Sequence, residues 1–182
     1  NRGSAGRGLA FESPIFRDMG KIELEDQLVG VDYLKSLPFV DPARLGLYGW
    51  SYGGYLTLYA ATRAPDVWKA AVAGAPVTDW SFYDSIYTER YMRTPATNAQ
   101  GYETSSPLKK AGALQTDLLL IHGTSDDNVH LANTVAFVDA LIKAGRAYSL
   151  LVHPRERHAF RDRASRTARD AAILRHFETR LK

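Results

Sequence analysis

The chain has 182 residues and a mass of 20.2 kDa, enough for one domain that buries about two-thirds of its unfolded surface. Hydrophobic residues at 45%, charged at 24% and aromatic at 11% exclude disordered, collagen-like and acidic-tail proteins. Net charge is +3, yet residues 143–182 hold eleven Lys/Arg against four Asp/Glu. There the arginines alternate with acidic residues on a predicted helix and no aromatics are interleaved, which reads as a solvated helix face and not a nucleic-acid surface. The longest aliphatic run, Leu118 to Ile121, is far below the roughly 20 residues needed to cross a bilayer, and no signal-peptide pattern opens the chain, so no membrane contact is expected from this segment. Cysteine is absent, which removes disulfides, thiolate metal sites and thiol nucleophiles and leaves the compartment open.

In chain order, Asn1 to Gly8 reads as an extended glycine-rich loop. The chain begins with asparagine and not methionine, so it reads as cut at its start. Leu24, Leu28, Val31 and Leu34 recur at helical spacing and predict a helix from about Met19 to Leu37, stopped by Pro38. Leu45 to Gly49 reads as a buried strand, and a helix runs from about Tyr52 to the stop at Pro65. Lys69 to Ala75 predicts a second strand, Asp79 to Met92 a helix, and Thr94 to Pro107 a polar loop. Asp117 to His122 is the third strand. Leu131, Val135, Val138 and Leu141 mark a helix closed by Gly145; a strand at Ala147 to Val152 and a helix at Ser165 to Leu181 complete the chain. No internal repeat or linker interrupts it.

Alternating short aliphatic strands and helices predict a mostly parallel sheet covered on both faces, an α/β domain over residues 1–182. In open sheets of this kind chemistry collects beyond the carboxyl ends of the strands. The first such end carries Gly49-Trp50-Ser51-Tyr52-Gly53-Gly54, matching the G-x-S-x-G turn on which a nucleophilic serine stands between strand and helix. The turn brings strand and helix close, so Gly49 and Gly53 are expected to be small for steric reasons. The pattern also fits a glycine-rich turn that merely carries a serine.

A serine hydroxyl needs a base, and the base needs a group that holds its tautomer. The third strand end supplies Asp126 and Asp127, and the loop after the fourth supplies His158. Serine, acid, histidine, each after a successive strand, is the chain order of the α/β-hydrolase fold. Of the five histidines, His122 ends a strand and reads as packed, His130 begins a helix, His153 precedes Pro154 too near its strand, and His176 lies inside the last helix. His158 is the best-placed base. Asp126, nearer the strand, is favoured over Asp127, which could cap the next helix.

Three segments also resemble a known family: Gly49 to Gly54, Tyr83-Asp84-Ser85-Ile86-Tyr87-Thr88-Glu89-Arg90-Tyr91-Met92, and His122-Gly123-Thr124-Ser125-Asp126-Asp127-Asn128-Val129-His130. They resemble the prolyl oligopeptidase family in its dipeptidyl peptidase IV-like branch, and the likeness runs from Asn1-Arg2-Gly3-Ser4 to the last helix. The resemblance implies Ser51, Asp126 and His158 as the catalytic triad of a serine peptidase with no metal or other cofactor. It also implies a hydrophobic pocket for the residue before the scissile bond, at Val77, Trp80, Tyr83, Tyr87 and Val129. By spacing alone, Trp80, Tyr83, Tyr87 and Tyr91 form one helical stripe that ordinary core packing would explain. Flat aromatic walls suit a rigid pyrrolidine ring. Asn128 resembles the family asparagine that binds a substrate carbonyl; a helix cap is its other reading.

The resemblance departs in two places. Family members carry several strands before the segment where this chain begins, and a tyrosine there donates to the oxyanion. That leaves the Tyr52 backbone amide as the oxyanion donor here, where loss of one donor costs about a hundredfold to a thousandfold in turnover. The β-propeller that filters substrates also lies outside the chain. Ala159 stands where a glycine often follows the histidine. The implied partners are a peptide substrate, the upstream hydrolase segment, the β-propeller and, for the full-length enzyme, a second copy in a homodimer. The expected activity is release of dipeptides with Pro or Ala second from peptide amino termini. Alternatives are an acylaminoacyl peptidase or esterase of the same fold, or an inactive interaction module seeking a partner for an exposed sheet edge.

Overall fold

The four aliphatic runs form β1 (Gly46–Trp50), β2 (Ala70–Gly74), β3 (Asp117–Gly123) and β4 (Ser149–His153) in a computed structural model that describes residues 1–182. All pairings are parallel and the spatial order is β1-β2-β3-β4. The two inner strands carry the least polar sequence because both faces are covered: every residue of Ala70–Gly74 is buried, as is Leu118 through Gly123.

Seven α-helices surround the sheet: α1 (Leu9–Glu12), α2 (Lys21–Lys35), α3 (Tyr52–Arg63), α4 (Ser85–Met92), α5 (Ala99–Ser105), α6 (Ala132–Lys143) and α7 (Arg163–Arg180). The period-two alternation of strands decides which helix meets which residue. Ala71, Ala73, Leu118 and Leu120 pack with Leu58 of α3 and Phe137 and Leu141 of α6. Val72, Leu119 and Ile121 point the other way and pack with Ile173 and Phe177 of α7. A further cluster, including Met19, Leu24, Tyr55, Val77, Trp80, Met92 and Val129, joins α2 to α3 and to the crossover between β2 and β3. Helices on both faces of a parallel sheet are the expected α/β-hydrolase architecture.

Two expectations about that crossover are corrected. Residues 79–92 are not one helix: a 3₁₀ turn at Trp80–Phe82 is followed by a break and then α4. Each piece has its own acidic cap, with the Asp79 carboxylate accepting from the Ser81 N–H and that of Asp84 from the Tyr87 N–H, so the chain restarts its helix at Asp84. Within the predicted polar loop 94–107, residues Ala99–Ser105 form α5 and bury Tyr102 and Ser105. A Cβ at Gly101 would stand 2.1 Å from the Arg17 carbonyl oxygen, so this glycine permits a contact that propensity penalises. Ahead of α2 the loop ends in α1 and a 3₁₀ turn at Ser13–Ile15. Arg2 binds the Asp26 carboxylate through its backbone N–H and guanidinium, tying the first residues to α2. Gly145, at φ +64°, closes α6 as expected. Arg163, Arg166 and Arg175 of the basic last helix are exposed. No helix is long and apolar enough to cross a membrane.

Candidate active site

Ser51 occupies the single residue between β1 and α3, with φ 61° and ψ −118°. A non-glycine residue holds such a backbone only when its surroundings over-determine it. Here the Ser51 N–H donates to the Gly74 carbonyl (2.8 Å) and the Ser51 carbonyl accepts from the Tyr55 N–H (2.9 Å). A Cβ on Gly49 would lie 2.1 Å from the Gly53 carbonyl oxygen, whereas one on Gly53 would meet nothing. The steric demand expected of both glycines therefore falls on Gly49. A second close approach is made by Gly54, whose added Cβ would sit 2.5 Å from the Gly74 oxygen.

The structure brings Ser51, His158 and Asp126 together. His158 Nε2 is 2.8 Å from Ser51 Oγ, and its Nδ1 is 2.8 Å from Asp126 Oδ2. Asp126 follows β3 and is almost fully buried, and its Oδ1 accepts the N–H groups of Asn128 and Val129, each at 3.0 Å. Burial alone would raise this carboxyl, but hydrogen bonds from His122, His158 and the Asn128 N–H outweigh it and hold the group well below the usual carboxylate range. Asp127 faces solvent and pairs with Arg157 at 2.9 Å, not with the start of α6. The Tyr52 N–H heads α3, where a helix has no preceding carbonyl to receive it.

The other histidines have separate duties. His122 is fully buried, with Thr134 on one nitrogen and the Val129 carbonyl on the other. The exposed His130 accepts the Ala132 N–H. His153 ends β4 against the Phe160 ring, and buried His176 lies 3.0 Å from the Asp117 carbonyl.

Beside Ser51 is a cavity of about 210 Å³ lined by Ser51, Tyr52, Val77, Trp80, Tyr83 and Tyr87. Four expected pocket residues thus reach one space. Trp80 and Tyr87 stack at 5.9 Å with 24° between planes, and Tyr83 stands edge-on to Tyr87 at 5.4 Å. The walls come from the 3₁₀ turn, the break and α4, not from one helical stripe. Tyr91 continues the row behind Tyr87 at 4.9 Å and does not line the cavity. Burial pushes the Tyr87 hydroxyl up to about 12, so the wall stays uncharged. Asn128 is exposed and accepts from the Tyr83 hydroxyl; it caps no helix. Val129 is fully buried behind these residues and does not line the space.

Two contacts were missed by sequence reasoning. Glu23, 1% exposed, accepts from the Tyr52 hydroxyl through one oxygen and from the Gly20 N–H through the other. Its only local signal is a glutamate three residues after a helix-starting glycine, the pattern of a capping box. The Trp50 indole N–H donates to the His158 carbonyl at 3.0 Å, and nothing local in the sequence foretells a contact spanning 108 residues.

The sheet, the serine turn and the three converging side chains define an α/β-hydrolase domain of the serine-peptidase kind. A family model described as the prolyl oligopeptidase family matches residues 1–182, and the chain belongs to that family, in its dipeptidyl peptidase IV-like branch. It is 48% identical over 165 residues to dipeptidyl peptidase 8 of mouse and human, a match covering 88% of this chain and 18% of each relative. It superimposes on Porphyromonas gingivalis dipeptidyl peptidase 4 with a TM-score of 0.89 and 43% identity, over 95% of this chain and 25% of that one. For a dipeptidyl aminopeptidase IV candidate from Bacteroides ovatus the TM-score is 0.96 with 41% identity, over 99% of this chain and 25% of that one. The chain therefore spans about a fifth to a quarter of the relatives it matches.

Proposed function

We propose that this chain is the catalytic part of a serine-type dipeptidyl aminopeptidase that releases dipeptides, with Pro or Ala second, from peptide amino termini. The observation that carries the reading is the continuous Ser51–His158–Asp126 hydrogen-bond chain opening onto a small aromatic cavity. Ser51 Oγ attacks the scissile carbonyl carbon while His158 Nε2 takes its proton. The tetrahedral oxyanion is met by the Tyr52 N–H, and a second donor is expected from the upstream segment that family members carry. His158 then returns the proton to the leaving amine, and water repeats the sequence to release the acyl group. Asp126 keeps the Nδ1–H tautomer and stabilises the imidazolium. A pyrrolidine ring in the cavity meets Trp80, Tyr83 and Tyr87 as rigid walls that lose little entropy on binding. Val77 closes the pocket, Val129 supports it from behind, and Asn128 offers an amide to a substrate carbonyl.

The test is turnover of a Gly-Pro anilide by the full-length enzyme and its Ser51→Ala variant, with fluorophosphonate labelling mapped by mass spectrometry. Loss of turnover together with wild-type label on Ser51 is expected. Retained turnover by Ser51→Ala overturns the assignment. Hydrolysis of amino-blocked substrates in preference to free ones would instead make the protein an acylaminoacyl peptidase or esterase. No label on Ser51 in either the chain alone or the full-length enzyme would leave an interaction module.

A further inference from the structure

His122 is a wholly buried imidazole for which the triad chemistry gives no role. It stands next to last in β3, and its two nitrogens have different partners. Nδ1 is 2.7 Å from Thr134 Oγ1 on α6; Nε2 is 2.8 Å from the Val129 carbonyl and 3.3 Å from Asp126 Oδ2. A carbonyl and a carboxylate only accept, so the ring proton belongs on Nε2, and the Thr134 hydroxyl donates to Nδ1. This is the opposite tautomer from the one Asp126 imposes on His158. Asp126 Oδ2 thus lies 2.8 Å from Nδ1 of His158 and 3.3 Å from Nε2 of His122, whose N–H is aimed at the Val129 carbonyl beside it.

We propose that His122 is a positioning residue for the catalytic acid: it locks the Asp126–Val129 turn and tempers the pull of Asp126 on His158. This rests on the triad reading above. Val129 shows the mechanical half, since its N–H donates to Asp126 Oδ1 while its carbonyl accepts from His122 Nε2. One buried ring therefore lies against both the carboxylate and the peptide unit following Val129. The electrostatic half follows from sharing. A second N–H beside Oδ2 offsets part of the carboxylate's negative potential, so the imidazolium of His158 is stabilised less than by an unshared carboxylate.

The other ionisable groups in the surrounding loops are already engaged. Tyr83 donates its hydroxyl to Asn128, Arg157 pairs with Asp127, and the Glu156 carboxylate accepts the N–H groups of Arg161 and Asp162.

The experiment is the pH profile of kcat/KM for a Gly-Pro anilide in the full-length enzyme, with the variants His122→Phe, His122→Gln and Thr134→Val. Removing the shared N–H in His122→Phe should move the acid limb upward by about half a pH unit or more and lower kcat about tenfold. His122→Gln can place an amide N–H near the Nε2 position and should return the limb most of the way. Thr134→Val keeps the shape of the site but frees the tautomer of His122, so a smaller shift in the same direction is expected. If His122→Phe does not fold, the other two variants carry the test. A folded variant set whose acid limbs all coincide with wild type overturns the proposal. Ser51→Ala, assayed in parallel, keeps the two readings apart: activity without Ser51 defeats the triad itself, whereas an inactive Ser51→Ala with unmoved His122 and Thr134 profiles defeats only the role of His122.

Discussion

The indole N–H of Trp50 donates to the main-chain carbonyl of His158 at 3.0 Å, so the residue before Ser51 holds the loop that carries His158. Phe160 meets the Trp50 ring edge-on at 5.2 Å, and the Arg169 guanidinium lies over it at 5.4 Å. Trp50→Phe keeps an aromatic ring for these neighbours and removes the hydrogen bond. A net loss of about 1 kcal/mol in loop positioning corresponds to roughly a fivefold fall in kcat/KM. Steady-state kinetics on a Gly-Pro anilide measure it, and an unchanged rate would show that the Ser125 N–H to Glu156 carbonyl bond at 2.9 Å suffices to hold the loop.

Gly49→Ala tests the close approach under the serine. The added carbon would overlap the Gly53 carbonyl at 2.1 Å, and backbone on both sides leaves no flexible atom to yield. The variant should lose about 1–3 kcal/mol of stability and nearly all activity, because the turn carrying Ser51 must open. Gly53→Ala, whose Cβ meets open space, should be far milder in thermal melts. Equal destabilisation of the two would contradict the asymmetry.

Tyr87→Ala removes the ring stacked on Trp80 and widens the pocket while sparing the triad. KM for a proline substrate should rise about tenfold to a hundredfold, with a smaller effect on an alanine substrate that fills less of the space. Parallel Michaelis curves for Gly-Pro and Gly-Ala anilides give the ratio, and an equal rise for both would place the bound side chain elsewhere.

Glu23 makes a prediction about pH. Burial raises its pKa above the ordinary value, with the Tyr52 hydroxyl bond opposing that rise only in part. A group with a raised native pKa favours the folded state in its protonated form. Its contribution is fully present below the unfolded value and is lost as pH rises through the native one. The stability of wild type relative to Glu23→Gln should therefore decline from about pH 4 upward. Thermal melts of both proteins between acid and neutral pH give this difference, and a difference independent of pH would mean that Glu23 is not perturbed.

Legibility followed the range over which each residue's fate is decided. The inner strands were readable because both sheet faces impose apolar character on consecutive positions, as in Leu118 to Ile121, whereas β1, expected to be buried, and β4 are edge strands left half-exposed or exposed at most positions. Ser51, Asp126 and His158 were readable because parallel topology puts each at the same end of its strand. α5 was not, since Gly101 and Asn98 argue for a loop and only the Arg17 carbonyl, which accepts from the Asn98 amide at 2.9 Å, makes the helix worthwhile. The aromatic stripe had helical spacing, but the caps Asp79 and Asp84 divide it. His122 was correctly read as packed, while its position beside Asp126 depends on a turn whose shape the sequence does not reveal.

Ser51 and His158 meet although they lie 107 positions apart in the chain, with three parallel strands laid down in order between them. At about 10 residues per second of synthesis, Ser51 leaves the ribosome roughly ten seconds before His158 does. During that interval Ser51 stands without the imidazole that lies 2.8 Å from its hydroxyl in the folded chain. A parallel sheet wound in chain order thus acts as a timer, letting Ser51 and His158 meet only after β4 has been made.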